Sequence, residues 1–171
     1  MHGYAPAMQD NAPLIRPATP EDAPALARMR YAFRASLGEA VEDEATFVAR
    51  CTEWMAGALS NAGSWRCLVA ADGAGKIIGH VWLMLIEKIP NPVVELERHA
   101  YISNVFVRQE QRSQGLGTRL MDMAIAYCRE HGVDSVILWP TSRSRSLYAR
   151  HGFAVRDDLM EATLDAGRSR H

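Results

Sequence analysis

Apolar positions recur along this chain at two spacings, and each change of spacing marks an element. Leu14-Ile15-Arg16 reads as a short strand stopped by Pro17. Thr19 then offers an N-cap, Pro20 takes the first helical position, and Glu21 and Asp22 suit the positive end of a helix dipole. Apolar residues at helical spacing carry that helix through Leu26, Met29 and Phe33 to about Leu37, where Gly38 ends it. A second helix is predicted from about Asp43 to Ser60, with Phe47, Cys51, Trp54, Met55, Ala58 and Leu59 inward and Asn61 and Gly63 closing it.

Beyond that point the spacing becomes that of strands. Residues 65–71 and 76–87 form an expected antiparallel hairpin around the turn Asp72-Gly73-Ala74-Gly75. Pro90 and Pro92 make residues 88–98 a loop or irregular edge. Residues 99–107 are rich enough in β-branched and aromatic side chains for a strand. The clearest helix follows at 117–131, with Gly132 where a left-handed cap is wanted, then a strand at 135–139 ended by Pro140. A shorter helix at 142–151 precedes Gly152, and residues 153–155 and 160–164 read as two closing strands.

The order β-α-α-β-β-β-α-β-α-β-β predicts an α/β (α+β) fold: a mixed, largely antiparallel sheet of six to seven strands flanked by about four helices. Residues 1–12 read as a flexible leader, 13–165 as a single domain, and 166–171 as a tail.

Composition narrows the class. With 48% hydrophobic and 23% charged residues, the 171-residue chain can bury one ordinary core, which argues against disorder. A formal net charge of -1 argues against a broad nucleic-acid-binding surface. The apolar stretch from Lys76 to Ile86 is far shorter than the roughly 20 residues that span a bilayer, and the first residues lack a secretory pattern. No membrane association and a cytoplasmic location are therefore expected, and nothing in the chain forbids a homodimer. Cys51, Cys67 and Cys128 lack CxxC spacing and each falls in an apolar pattern, so packing is their expected role. The histidines show no metal-ligand spacing, and no metal site is expected.

Candidate chemistry gathers between Val105 and Thr118. An apolar strand, Val105-Phe106-Val107, runs into a polar turn, and a loop holding Gly115 and Gly117 opens directly into the amphipathic helix. A helix start leaves backbone N–H groups unpaired and carries positive potential, which suits an anion. Glycine lets a phosphate approach the main chain, and Arg112 and Arg119 are placed to add charge. A P-loop would need a lysine after Gly117, and a dinucleotide fingerprint would need a third glycine where Leu120 stands.

The pattern R-x-x-G-x-G, filled by Arg112, Gly115 and Gly117, follows a strand carrying Asn104-Val105-Phe106-Val107 and precedes Leu147-Tyr148-x-x-x-Gly152-Phe153. Together these resemble the acetyl-CoA-binding core of the GNAT superfamily of acetyltransferases, and the element order extends the likeness from Leu14 to about Leu164. The resemblance implies that main-chain amides of Ser113, Gln114, Gly115, Leu116, Gly117 and Thr118 wrap the pyrophosphate of coenzyme A. It implies that Val105, Phe106 and Val107 border the pantetheine arm, with a gap opening between the strands that hold Val105 and Val136. Thr141, standing where many relatives carry asparagine, would bond the same arm more weakly.

The family also places a tyrosine where Tyr148 stands, as the acid that protonates the departing thiolate. A phenol with a pKa of about 10 is protonated at neutral pH and suits that task. Some relatives carry a glutamate base on the central strand, but here Tyr101 holds that position. Glu95, Glu97, His99 and a chain of water are the alternatives, and the base stays unassigned. Tyr31, Phe33, Arg34, Trp54 and Trp82 are candidates for lining an acceptor site, while Arg143-Ser144-Arg145 is either a contact for the 3′-phosphate of coenzyme A or a solvated helix start. The expected activity is N-acetylation of a small-molecule amine; protein or peptide acetylation and a non-catalytic acyl-CoA sensor are the alternatives.

Overall fold

The structure, a computed structural model, describes residues 12–38, 40–60, 63–162 and 164. The chain divides into two units, Met1–Leu138 and Trp139–His171, and each is described by itself. The expected leader, the tail and the helix-closing Asn61 lie outside the described residues, except for Ala12.

The first unit holds a five-stranded sheet in the order β1 (Leu14–Pro17), β2 (Trp65–Ala71), β3 (Ile77–Glu87), β4 (Arg98–Val107), β5 (Val133–Ile137). Neighbours are antiparallel from β1 to β4, and β4 pairs with β5 in parallel. A parallel pair needs a crossover, supplied here by helix α3 (Leu116–Glu130).

Helices α1 (Ala23–Ser36) and α2 (Glu44–Ser60) precede β2. Thr19 does sit at a helix start, but residues Pro20–Asp22 first make one 3-10 turn and α1 begins behind it. Asp22 fixes that corner, its carboxylate accepting from the Thr19 N–H at 2.8 Å and from both terminal nitrogens of Arg16 at 2.6 and 2.9 Å. The Arg16 guanidinium accordingly holds the Asp22 carboxyl below its ordinary pKa.

Successive residues of β2 from Cys67 to Ala71 and of β3 from Ile77 to Leu83 are all buried, as strands covered on both faces must be. One face packs Leu26, Ala27, Met29 and Met55 of the first two helices against Cys67, Val69, Ile77 and Trp82. The other meets α3, whose stripe of Leu116, Leu120, Met121, Ala124 and Cys128 is buried. Each leucine or methionine among them contributes about 1.5–3 kcal/mol when taken from water. All three cysteines are reduced packing residues, and desolvation pushes their thiols up, that of Cys128 to about 11.

Four expectations need correction. Trp54, expected inward, is 52% exposed, because the buried side of α2 narrows to Met55. The strand expected at 135–139 is displaced to Val133–Ile137, since the ladder with β4 decides its ends rather than the aromatic Trp139. Residues 153–155 and 160–162 form no strand, so the described sheet has five strands rather than six or seven. Those segments are short, and Val155 and Met160 are about nine-tenths exposed (89% and 93%), so no buried face specifies a register.

Candidate functional site

The N-terminal half of β4 is held on both sides and its C-terminal half on one. Its ladder with β5 runs only from Arg98↔Val133 to Tyr101↔Ile137, whereas its ladder with β3 continues to Gly79↔Val107. Among the described residues, Val105, Phe106 and Val107 therefore have no partner on the β5 side. Val136 pairs with Ala100, and the ladder ends one residue later, at the last residue of β5.

A break in the β3–β4 register accompanies the parting. His80 pairs with Phe106 and Trp82 with Ser103, so Val81 faces two residues, Asn104 and Val105. Asn104 is the extra residue of this bulge and adopts φ 54, a left-handed conformation that costs an L-residue energy. Its side-chain oxygen accepts from Arg30 Nη1 of α1 at 3.2 Å.

Beyond Val107 the chain makes a 3-10 turn at Gln109–Gln111, tied back by the Arg108 N–H to the Ile78 carbonyl at 2.9 Å. Two left-handed residues follow, Ser113 at φ 63 and Gly115 at φ 76, and Gly115 is the N-cap of α3. The Arg119 N–H is the first of the helix to close, onto the Gly115 carbonyl at 3.0 Å. Among the described residues, the backbone N–H groups of Ser113, Gln114, Gly115, Leu116, Gly117 and Thr118 make no hydrogen bond. Six donors gathered where a helix dipole is positive suit a multiply charged anion.

Arg112 is partly committed already: Nε donates to the Val107 carbonyl at 3.0 Å, and the guanidinium carbon lies 5.9 Å from the centre of the Phe106 ring. Arg119 reaches away, its Nη2 donating to the Pro13 carbonyl at 2.8 Å.

The base candidates occupy the opposite end of β4. His99 lies six residues before Val105, about 20 Å along an extended strand. Its Nδ1 is 2.8 Å from Asp134, which also binds Lys88 Nζ at 2.7 Å, and Glu95 accepts from Asn91 at 2.6 Å. Tyr101, at the head of the parting, donates its hydroxyl to Ser103 Oγ at 3.3 Å. Among the described residues no group of three or more histidine, cysteine or acidic side chains is placed to hold a metal ion.

The second unit carries Thr141 and Tyr148. Thr141 is exposed and its N–H donates to Ser144 Oγ at 2.9 Å; Ser144 is the N-cap of helix α4 (Arg145–Arg150). Tyr148 lies in the middle of α4 and is 8% exposed. The helix ends in a Schellman motif: the Phe153 N–H donates to the Tyr148 carbonyl at 3.1 Å and the Gly152 N–H to the Ala149 carbonyl at 3.1 Å, with Gly152 at φ 83. The Tyr148 and Phe153 rings meet edge-on at 5.8 Å, the apolar contact that usually goes with this motif.

Asn104 and Arg30 gained no role from the sequence. The available signal was an asparagine, a poor strand former that tolerates left-handed backbone, inside a β-branched and aromatic run.

Residues 26–153 match the family model described as the acetyltransferase (GNAT) family. Solved structures share the fold. A GCN5-related N-acetyltransferase from Ralstonia eutropha JMP134 is 26% identical, with a TM-score of 0.66 over 88% of this chain and 98% of its own. A protein described as a predicted acetyltransferase, from Clostridium acetobutylicum and solved with acetyl-CoA, is 22% identical, with a TM-score of 0.71 over 89% and 96%. A Trypanosoma brucei acetyltransferase is 22% identical, with a TM-score of 0.63 over 89% and 99%. No curated protein sequence matches the chain.

Proposed function

The chain belongs to the GNAT acetyltransferase family, and on that premise we propose that it moves the acetyl group of acetyl-CoA directly to the primary amine of a small molecule. The observation that carries this reading is the parting of β4 from β5 beside a loop of six unbonded backbone N–H groups. A pantetheine arm needs an unladdered strand edge and a pyrophosphate needs convergent donors, so the residues present fit coenzyme A. The Clostridium acetobutylicum structure with acetyl-CoA supports the same ligand. Residues 13–165 act as one acetyltransferase domain in this reading, which the span of the family model supports.

Ser113, Gln114, Gly115, Leu116, Gly117 and Thr118 bind the pyrophosphate through main-chain amides, Arg112 adds charge, and Val105, Phe106 and Val107 align the arm as an added strand. Thr141 gives it a further polar contact. The unprotonated amine attacks the thioester carbonyl; a C–N bond forms, the C–S bond breaks, and Tyr148 gives its proton to the departing thiolate. The amine's own proton leaves to water. Direct transfer calls for neither a metal nor a covalent enzyme intermediate. No helix among the described residues is long and apolar enough to cross a membrane, which fits the cytoplasmic location we propose.

Thiol release from acetyl-CoA, followed against a panel of amines, tests the reading. Turnover with a small amine by the wild type, lost in Tyr148→Phe while coenzyme A still binds, is the expected result. Turnover only with peptide N-termini or lysines would redirect it to a protein acceptor, and tight binding without turnover would make the protein a sensor.

A further inference from the structure

The left-handed residue in the middle of β4 requires a cause. Asparagine pays less than most residues for φ 54, yet in a strand paired with β3 before and after it the conformation persists only if its surroundings hold it. Arg30 Nη1 reaches Asn104 Oδ1 at 3.2 Å, a hydrogen bond joining residues 74 positions apart. The arginine stands on α1, whose Leu26, Ala27 and Met29 are buried against the sheet. Phe106, two residues further along β4, stacks on the fully buried His80 ring at 5.7 Å and 22°.

The bulge matters because of its position. It follows the last β4–β5 pair, Tyr101↔Ile137, by three residues, and a bulge bends its strand and sharpens the local twist. Val105 and Val107, the residues assigned to the pantetheine arm, come directly after it. The bulge therefore sets the course that both take along the unladdered edge of the strand.

We infer that Arg30 is a positioning residue for the acetyl donor: by holding Asn104 in the left-handed bulge, it sets the course of Val105, Phe106 and Val107, the edge assigned to the pantetheine arm. It touches neither the thioester nor the amine. This inference rests on the donor site described under the proposed function. It adds that α1, the element carrying the acceptor candidates Tyr31, Phe33 and Arg34, is mechanically tied to the donor slot.

Calorimetric titration with coenzyme A, which needs no acceptor, tests it. Loss of one charged hydrogen bond should weaken coenzyme A binding about tenfold in Arg30→Gln, with partial recovery in Arg30→Lys. Asn104→Gly, which keeps the left-handed backbone without the amide, should bind nearly as the wild type does. Adding Arg30→Gln to it should then cost less than the same change costs in the wild type, because this bond is already gone. Asn104→Val, β-branched and ill suited to φ 54, should bind as weakly as Arg30→Gln. Melting curves run alongside identify any variant that fails to fold, and the asparagine pair then decides alone. Wild-type affinity in both Arg30→Gln and Asn104→Val would overturn the inference, as would a full additive loss in the double variant. A wild type that does not bind coenzyme A would instead overturn the donor site itself.

Discussion

The Phe153 N–H closes on the Tyr148 carbonyl at 3.1 Å, and the two rings meet edge-on at 5.8 Å. One cap therefore fixes both the end of α4 and the rotation of the tyrosine proposed as the acid. The spacing Tyr-x-x-x-Gly-Phe is the chemical requirement of that cap: glycine takes the left-handed position, and the next residue returns its N–H to the helix.

Gly152→Ala should therefore loosen the cap. At φ 83 nothing within 4 Å opposes a methyl group, so only the backbone cost remains. A loss of about 1–2 kcal/mol is expected, read as a melting temperature lower by about 2–8 °C, together with a fall in turnover greater than the fall in coenzyme A affinity.

Gly79 pairs with Val107 at the end of β4 and lies against Leu120 of α3. A methyl group there would stand 3.1 Å from both Leu120 Cδ1 and the Phe106 carbonyl oxygen. Leu120 can give way, but the carbonyl belongs to the paired backbone. Gly79→Ala should cost about 1–3 kcal/mol in urea unfolding and should also weaken coenzyme A binding, because Phe106 moves.

Gly117→Glu tests the anion loop. A carboxylate about 4 Å from a phosphate near a protein surface is repelled by about 4 kcal/mol, so calorimetry should find coenzyme A affinity lowered at least about a hundredfold, with the circular dichroism spectrum retained. Unchanged affinity would place the ligand elsewhere.

His80 gives the protein an acid-sensitive point. Burial lowers the imidazole from 6.5 to about 4; Asn104 beside it opposes the shift, Arg30 adds to it, and neither ring nitrogen has a hydrogen-bond partner among the described residues. The native ring is neutral, so between those values the unfolded chain binds the extra proton. Stability should be full above pH 6.5 and fall as the pH drops toward 4, by roughly 3 kcal/mol in all from this group. Urea midpoints measured across that range in the wild type and in His80→Phe, which keeps an aromatic ring on Phe106, should differ in slope.

Much of this was legible in advance because it is local. Helical spacing located α1, α2, α3 and α4 to within a few residues, and Gly38, Gly132 and Gly152 take the left-handed conformations that their positions as helix stops imply. The loop of unbonded amides was equally legible, since a strand, a glycine pair and a helix start in succession already place such amides together. Trp54 failed for a different reason. Its periodicity reports that one side of α2 is apolar, but how wide a stripe the sheet covers depends on packing.

The sequence by itself determined the order of elements, the helix caps and the loop, because each follows from interactions within a few residues. Tertiary structure alone decided that the β4–β5 ladder stops at Tyr101↔Ile137, that Asn104 bulges beside Arg30, and that residues 153–162 remain outside the described sheet. Those features depend on contacts between segments far apart in the chain, and the energy of pairing or parting two strands resides in the pair, not in either strand's composition.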